Sequence, residues 1–136
     1  MTDGRATIHG TWIACVVALA AACGSACAMK ARPRDMPPAP GEVTAARAAV
    51  DQAFDQARTD PASMTRAGKK AVKAFREALQ QWAKGAAGDA VRITIRGWAF
   101  QVGSIETSIM QLPKRPDDIQ IGPIRAEWAR LRAELP

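Results

Sequence analysis

The stretch VRITIRGWAFQVGSIETSIMQL, residues 91–112, decides the fold. Its first residues alternate. Val91, Ile93 and Ile95 stand between Arg92, Thr94 and Arg96, a period of two rich in β-branched residues that suits a strand. A hairpin of this piece with Trp98–Val102, broken at Gly97, is one solution. A second period runs through the whole stretch: Val91, Ile95, Trp98, Val102, Ile105, Ile109 and Leu112 recur at steps of three and four without a polar interruption. That spacing lines one face of a helix. The long repeat outweighs the short alternation, so a helix is predicted here, with a short hairpin at 91–102 in an α+β fold as the alternative.

The flanking segments repeat the pattern. Upstream, Val43, Ala46, Val50, Ala53 and Ala57 form one stripe with Phe54 beside it, and Val72, Phe75, Leu79, Trp82 and Ala86 form another. Downstream, Ile121, Ile124, Trp128, Leu131 and Leu135 form a fourth. The punctuation between them agrees. Asp60-Pro61 has the form of an N-cap followed by proline at the first helical position. Gly85 and Gly88 can end the second helix, Asp89 can cap the third, Pro113 stops it, and Gly122-Pro123 opens the last. Four one-sided helices with short connections bury their stripes most simply as a small antiparallel all-α bundle.

Composition supports helices over sheet. In 136 residues, 48% are apolar and 24% charged, with no Tyr, and alanine, the best helix former, supplies much of the apolar share. The length suits one domain. The net charge of +6 points to anionic company, such as lipid headgroups, an acidic polymer, nucleic acid or an acidic protein.

The amino-terminal segment has a different character. Thr11–Ala22, TWIACVVALAAA, carries no charge but is shorter than the roughly twenty apolar residues of a membrane span. It matches the apolar region of a secretory signal. Residues 1–28 are therefore expected to be a signal, residues 29–41 a linker, and residues 42–136 the helical domain. Ala26-Cys27-Ala28 fits cleavage before Met29. Leu19-Ala20-Ala21-Ala22-Cys23 resembles the lipobox of bacterial lipoproteins, although Leu19 lies one place earlier than the pattern prefers. That resemblance implies a lipid on Cys23, which would become the first residue of an envelope protein on the periplasmic side of a membrane. Lys30, Arg32 and Arg34 oppose export by the positive-inside rule. An uncleaved anchor with the domain on the cytoplasmic face is the alternative. In the linker, Pro33, Pro37, Pro38 and Pro40 exclude a helix and favour an extended spacer.

Chemistry is hard to find. Cys15, Cys23 and Cys27 lack a fourth ligand of suitable spacing for zinc, and His9, the single histidine, lies in the same processed segment. Beyond Ala28 there is no histidine, cysteine or tyrosine, which removes the usual nucleophile-and-base arrangements. Haem bundles need an axial histidine and di-iron bundles need Glu-x-x-His pairs. Gly85-Ala-Ala-Gly88 lacks the Lys-Ser or Lys-Thr of a phosphate loop. Asp51 and Asp55, at i and i+4, have proton-relay spacing but fall among Gln52, Gln56 and Arg58 on what should be a wet face. Asp117-Asp118 suits helix capping better than calcium. No enzyme, cofactor or metal is expected.

One surface feature stands out. Arg66, Lys69, Lys70, Lys73 and Arg76 recur at steps of three and four opposite Phe75 and Leu79, with Glu77 the only acid among them. This face could dock an anionic partner or simply be solvated. No aromatic residue interleaves the lysines, and export would separate the domain from nucleic acid. Trp82, Trp98 and Trp128 are expected to share an aromatic core. Thr94, Gly97, Gln101, Ser104 and Ser108 run beside the third stripe, where small side chains would ease close helix packing. The sequence thus predicts a non-enzymatic envelope lipoprotein with an interaction domain, or else a soluble module that binds an anionic ligand through the basic face.

Overall fold

The structure, a computed structural model, describes residues 35–136. Cys23, the other cysteines, His9 and the chain through Arg34 lie outside the described residues. The bundle has helix α1 at Gly41–Gln56, a 3-10 turn at Pro61–Thr65, α2 at Ala67–Gly85, α3 at Asp89–Met110 and α4 at Asp118–Glu134. No strand occurs among the described residues. The hairpin alternative at 91–102 is therefore overturned. In α3 the alternating Ile93 is left exposed while Ile95, Trp98, Val102, Ile105 and Ile109 are buried, so the period that buries more apolar surface prevails.

All four stripes converge on one core. Val50, Phe54, Phe75, Leu79, Val102, Ile105, Ile121 and Leu131 belong to a single buried cluster. α2 is the central element, packed against α1 and most extensively against α3, with α4 lying on α3. The aromatic residues separate into two groups rather than one. Trp82 meets Trp98 at 6.2 Å, whereas Trp128 stacks on Phe54 at 6.1 Å and meets Phe75 edge-on at 5.6 Å. Such pairs add about 0.5–1.5 kcal/mol each beyond area burial.

Helix boundaries correct three expectations. The cap of α3 is Gly88, with Asp89 as the first helical residue. Gly88 has φ +88°, and the short Ala86–Gly88 connection needs that left-handed geometry, which costs glycine nothing. Asp60 does precede a proline at the first position, but of the 3-10 turn, and its side chain makes no cap bond. Finally, α4 starts at Asp118, and Pro123 lies inside it. Asp117 accepts from the Gln120 backbone N–H at 2.8 Å, while its own N–H donates to the Gln120 side chain at 3.0 Å. This reciprocal capping box starts the helix before the Gly-Pro pair. The bond that proline forfeits would end on the carbonyl of Ile119, an exposed residue where water can replace it.

The segment before α1 is not wholly free of the body, because Met36 and Ala39 pack against the core. The 3-10 turn contributes Met64, which is fully buried. Its thioether crosses the start of α2 so closely that a Cβ on Gly68 would fall 2.0 Å from Met64 Sδ. A side chain at 68 therefore forces Met64 to move, a constraint of contact rather than of backbone angle.

Gly68→Ala is expected to destabilise the fold by about 1–3 kcal/mol, as overpacking does. Met64→Ala alone should cost about 2–5 kcal/mol through the cavity it leaves. In the double variant the new methyl enters that cavity, so urea denaturation should give a combined loss smaller than the sum of the two.

Candidate functional site

The five cations of the basic cluster begin as one helical face and end in three settings. Arg66 is the N-cap of α2, and it lines a cavity of about 250 Å³ with Lys114 and Arg115 from the α3–α4 connection. Asp60 is the acid in that cavity. Lys69, Lys70 and Lys73 point outward, exposed, on the side of α2 opposite the buried Phe75 and Leu79. No carboxylate pairs with any of these three among the described residues. Arg76 turns aside, and its Nε donates to Glu106 Oε2 of α3 at 2.7 Å. That pair is mostly withdrawn from solvent, with the Glu106 side chain 13% exposed. Arg76 therefore ties α2 to α3, and its charge is answered within the fold.

Beside that pair lies a groove of about 850 Å³ between α2 and α3. Its floor is made of small residues, Ala83 from α2 with Ala99 and Gly103 from α3, and the exposed Phe100 stands at its edge. Lys84 and Arg96 add two cations that no carboxylate pairs with among the described residues.

The small-residue series of α3 is therefore distributed differently from expectation. Ser104 and Ser108 line the groove. Gly97 has open space around it, and a Cβ there would meet nothing within 4 Å. Thr94 is buried, its hydroxyl donating to the Ala90 carbonyl at 2.9 Å. Small residues here shape a surface hollow more than a tight helix crossing.

Asp51 is the residue the sequence placed worst. Its carboxylate does not sit on a free wet face with Asp55. Trp128 Nε1 of α4 donates to Asp51 Oδ1 at 2.9 Å, and Arg132 Nε donates to Oδ2 at 3.1 Å. Only 34% of the Asp51 side chain remains exposed. Asp55 instead faces Arg58 at 3.6 Å, on the surface. The two carboxylates thus serve different partners and do not form a relay. The signal that could have found this clamp is the apolar neighbourhood: Asp51 follows the buried Val50, and a core tryptophan must satisfy its indole N–H. Asp117 acts as a cap, and Asp118 pairs with Arg125 at 3.0 Å.

Among the described residues no group of three or more His, Cys, Asp or Glu side chains could hold a metal, and no helix is long and apolar enough to cross a membrane. Comparison with protein-family models, with curated proteins and with solved structures gives no match.

Asp51→Ala removes the acceptor of both Trp128 and Arg132, and a loss of about 1–3 kcal/mol is expected from the unpaired indole and guanidinium. Asp51→Asn keeps an acceptor for Trp128 and should cost about half as much. Chemical denaturation followed by tryptophan emission measures both, and equal losses would show that the indole bond contributes nothing.

Proposed function

We propose that the protein is a non-enzymatic, lipid-anchored component of the bacterial cell envelope whose helical body binds another envelope protein. The observation that carries this reading is the disposition of charge on α2. Its apolar stripe is consumed by the core, while Lys69, Lys70 and Lys73 face solvent together without opposing carboxylates. Cations spent on internal pairs, as Arg76 is, stabilise a fold; cations left together on one rigid face are available to an anionic surface. The tether in this proposal comes from the sequence: Cys23 carries the lipid, and the proline-rich stretch leads from it to α1.

Absence of His, Cys and Tyr after Ala28 supports a binding role over catalysis. Four carboxylates, Asp51, Glu106, Asp117 and Asp118, are each engaged in a structural contact, which also favours binding over acid-base chemistry at those residues. The same three lysines favour a second reading, a soluble module that binds an anionic ligand without any anchor.

Metabolic labelling with palmitate separates the two. Label should enter the wild-type protein and be lost from Cys23→Ala; an unlabelled wild type would leave only the soluble module. Charge reversal at Lys69, Lys70 and Lys73 should weaken chemically cross-linked complexes in cells and remove their salt sensitivity. Complexes that persist unchanged and insensitive to salt would overturn the role of this face in both readings.

A further inference from the structure

The α2–α3 groove has features that the fold does not use. Phe100 is 80% exposed, although a large aromatic residue is ordinarily covered. Ile93, seven residues earlier and therefore on the same side of α3, is also exposed. Below Phe100 the floor is open. A Cβ on Gly103 would find Arg76 Cδ at 3.6 Å as its nearest neighbour, an ordinary contact that leaves the space above it clear.

The shape selects the occupant. The lining follows α3 from Arg96 to Gln111, roughly 22 Å at about 1.5 Å per residue, with α2 forming the facing wall over about 12 Å from Arg76 to Lys84. Its volume of about 850 Å³ would suit a small molecule, but such ligands need some 70–90% of their surface covered. A trough whose main aromatic side chain is 80% exposed does not enclose them. A rod laid lengthwise matches it, because small residues let a second helix approach closely and Phe100 provides a side chain to pack against it.

Charge then selects the kind of rod. Arg76 is neutralised by Glu106. Lys84 and Arg96 remain, with the amides of Gln80 and Gln111 and the hydroxyls of Ser104 and Ser108 along the rims. A second copy of this chain docked groove to groove about a two-fold axis offers no carboxylate to Lys84 and Arg96, because the lining contains none. Cations that face one another or stay unanswered at an interface disfavour that arrangement. An acidic partner meets no such penalty.

We infer that this groove seats an amphipathic helix of a partner protein, one with a small or apolar face flanked by Asp or Glu. Phe100 is its central anchor, and Lys84 and Arg96 receive its carboxylates. The inference rests on the proposed role as a binding protein, but it uses different residues from the outward lysines of α2.

The test is a display library of 16-residue helical peptides, randomised on one face and its flanks, selected against the full chain. Enriched sequences should carry Asp or Glu on both flanks of a small or apolar stripe, towards one end of the peptide. Phe100→Asp, a change at an exposed site, should weaken the selected peptides about tenfold or more, as loss of an anchor side chain does, with the circular dichroism spectrum unchanged. Lys84→Glu with Arg96→Glu should switch the enrichment to Lys and Arg. Lys69→Glu, Lys70→Glu and Lys73→Glu together should select the same peptides as wild type. Several outcomes overturn the inference: no enrichment, basic or non-helical winners, or affinity indifferent to Phe100→Asp. Sedimentation that shows a dimer abolished by Phe100→Asp would give the groove to a second copy. Binding to phosphatidylglycerol vesicles that depends on Phe100 would give it to a membrane. Dependence on the three outward lysines alone would refute the groove while leaving the binding role standing.

Discussion

The close antiparallel packing of α2 against α3 is the constraint on which the rest of the bundle depends. A three-residue connection joins them, and Gly88 in its left-handed conformation turns the chain back at once. From that point Trp82 lies against Trp98, and further along the pair Arg76 reaches across to Glu106. With a turn this short, the register of the two helices is set at one end and checked at the other by an ion pair that is largely shielded from water. The shared core gains from apolar burial, and the ion pair contributes mainly by penalising other registers, since separating either partner would strand a desolvated charge.

The two outer helices are attached to this hairpin by different means. α1 presents a narrow stripe, ending in Phe54, and much of its contact is alanine and valine. α4 has apolar residues around a polar circumference and a proline in its second turn. Trp128 resolves the position of α4, because one indole satisfies two demands. Its ring stacks on Phe54 of α1 and meets Phe75 of α2 edge-on, and its N–H ends on Asp51. Arg132 then shares that carboxylate from one helical turn further on. Arg47 of α1 also donates to the carbonyl of Pro136, which joins the same two elements near the chain end. A polar clamp of this kind adds less energy than the core, but it is directional, and so it decides which way a rather uniform helix faces.

What is left over once these contacts are made defines the surface. Charges that face an opposite charge disappear into structure, as at Arg76, Arg125 and Arg132. Those that do not, on the outer side of α2 and along the α2–α3 groove, account for much of the basic character of the chain. The two regions are distinct in kind. One is a convex row of lysines, strongly hydrated and suited to long-range attraction. The other is a trough with an aromatic edge and a floor of small residues, suited to shape recognition at close range. A protein that uses both would be attracted by the first and positioned by the second.

The helical character, the four segments and nearly all of the core were legible in the sequence, because burial of one face imposes a period that survives in the order of residues. Val50, Leu79, Val102 and Ile121 are buried where the spacing puts them. Met64 was not legible, since a five-residue 3-10 turn is too short to show a period. The start of α4 was half legible: Asp117-Asp118 suited a cap, as found, but the Gly-Pro pair expected to open the helix lies inside it. Charge was the least legible of all. Asp51 and Asp55 look alike in sequence, and so do Lys73 and Arg76. Whether each is clamped, paired or free depends on which side chain of another helix arrives beside it, and a one-dimensional pattern contains no such distances. Tertiary packing alone made Asp51 a structural clamp, made Arg76 an interhelical tie, and left a groove beside Phe100.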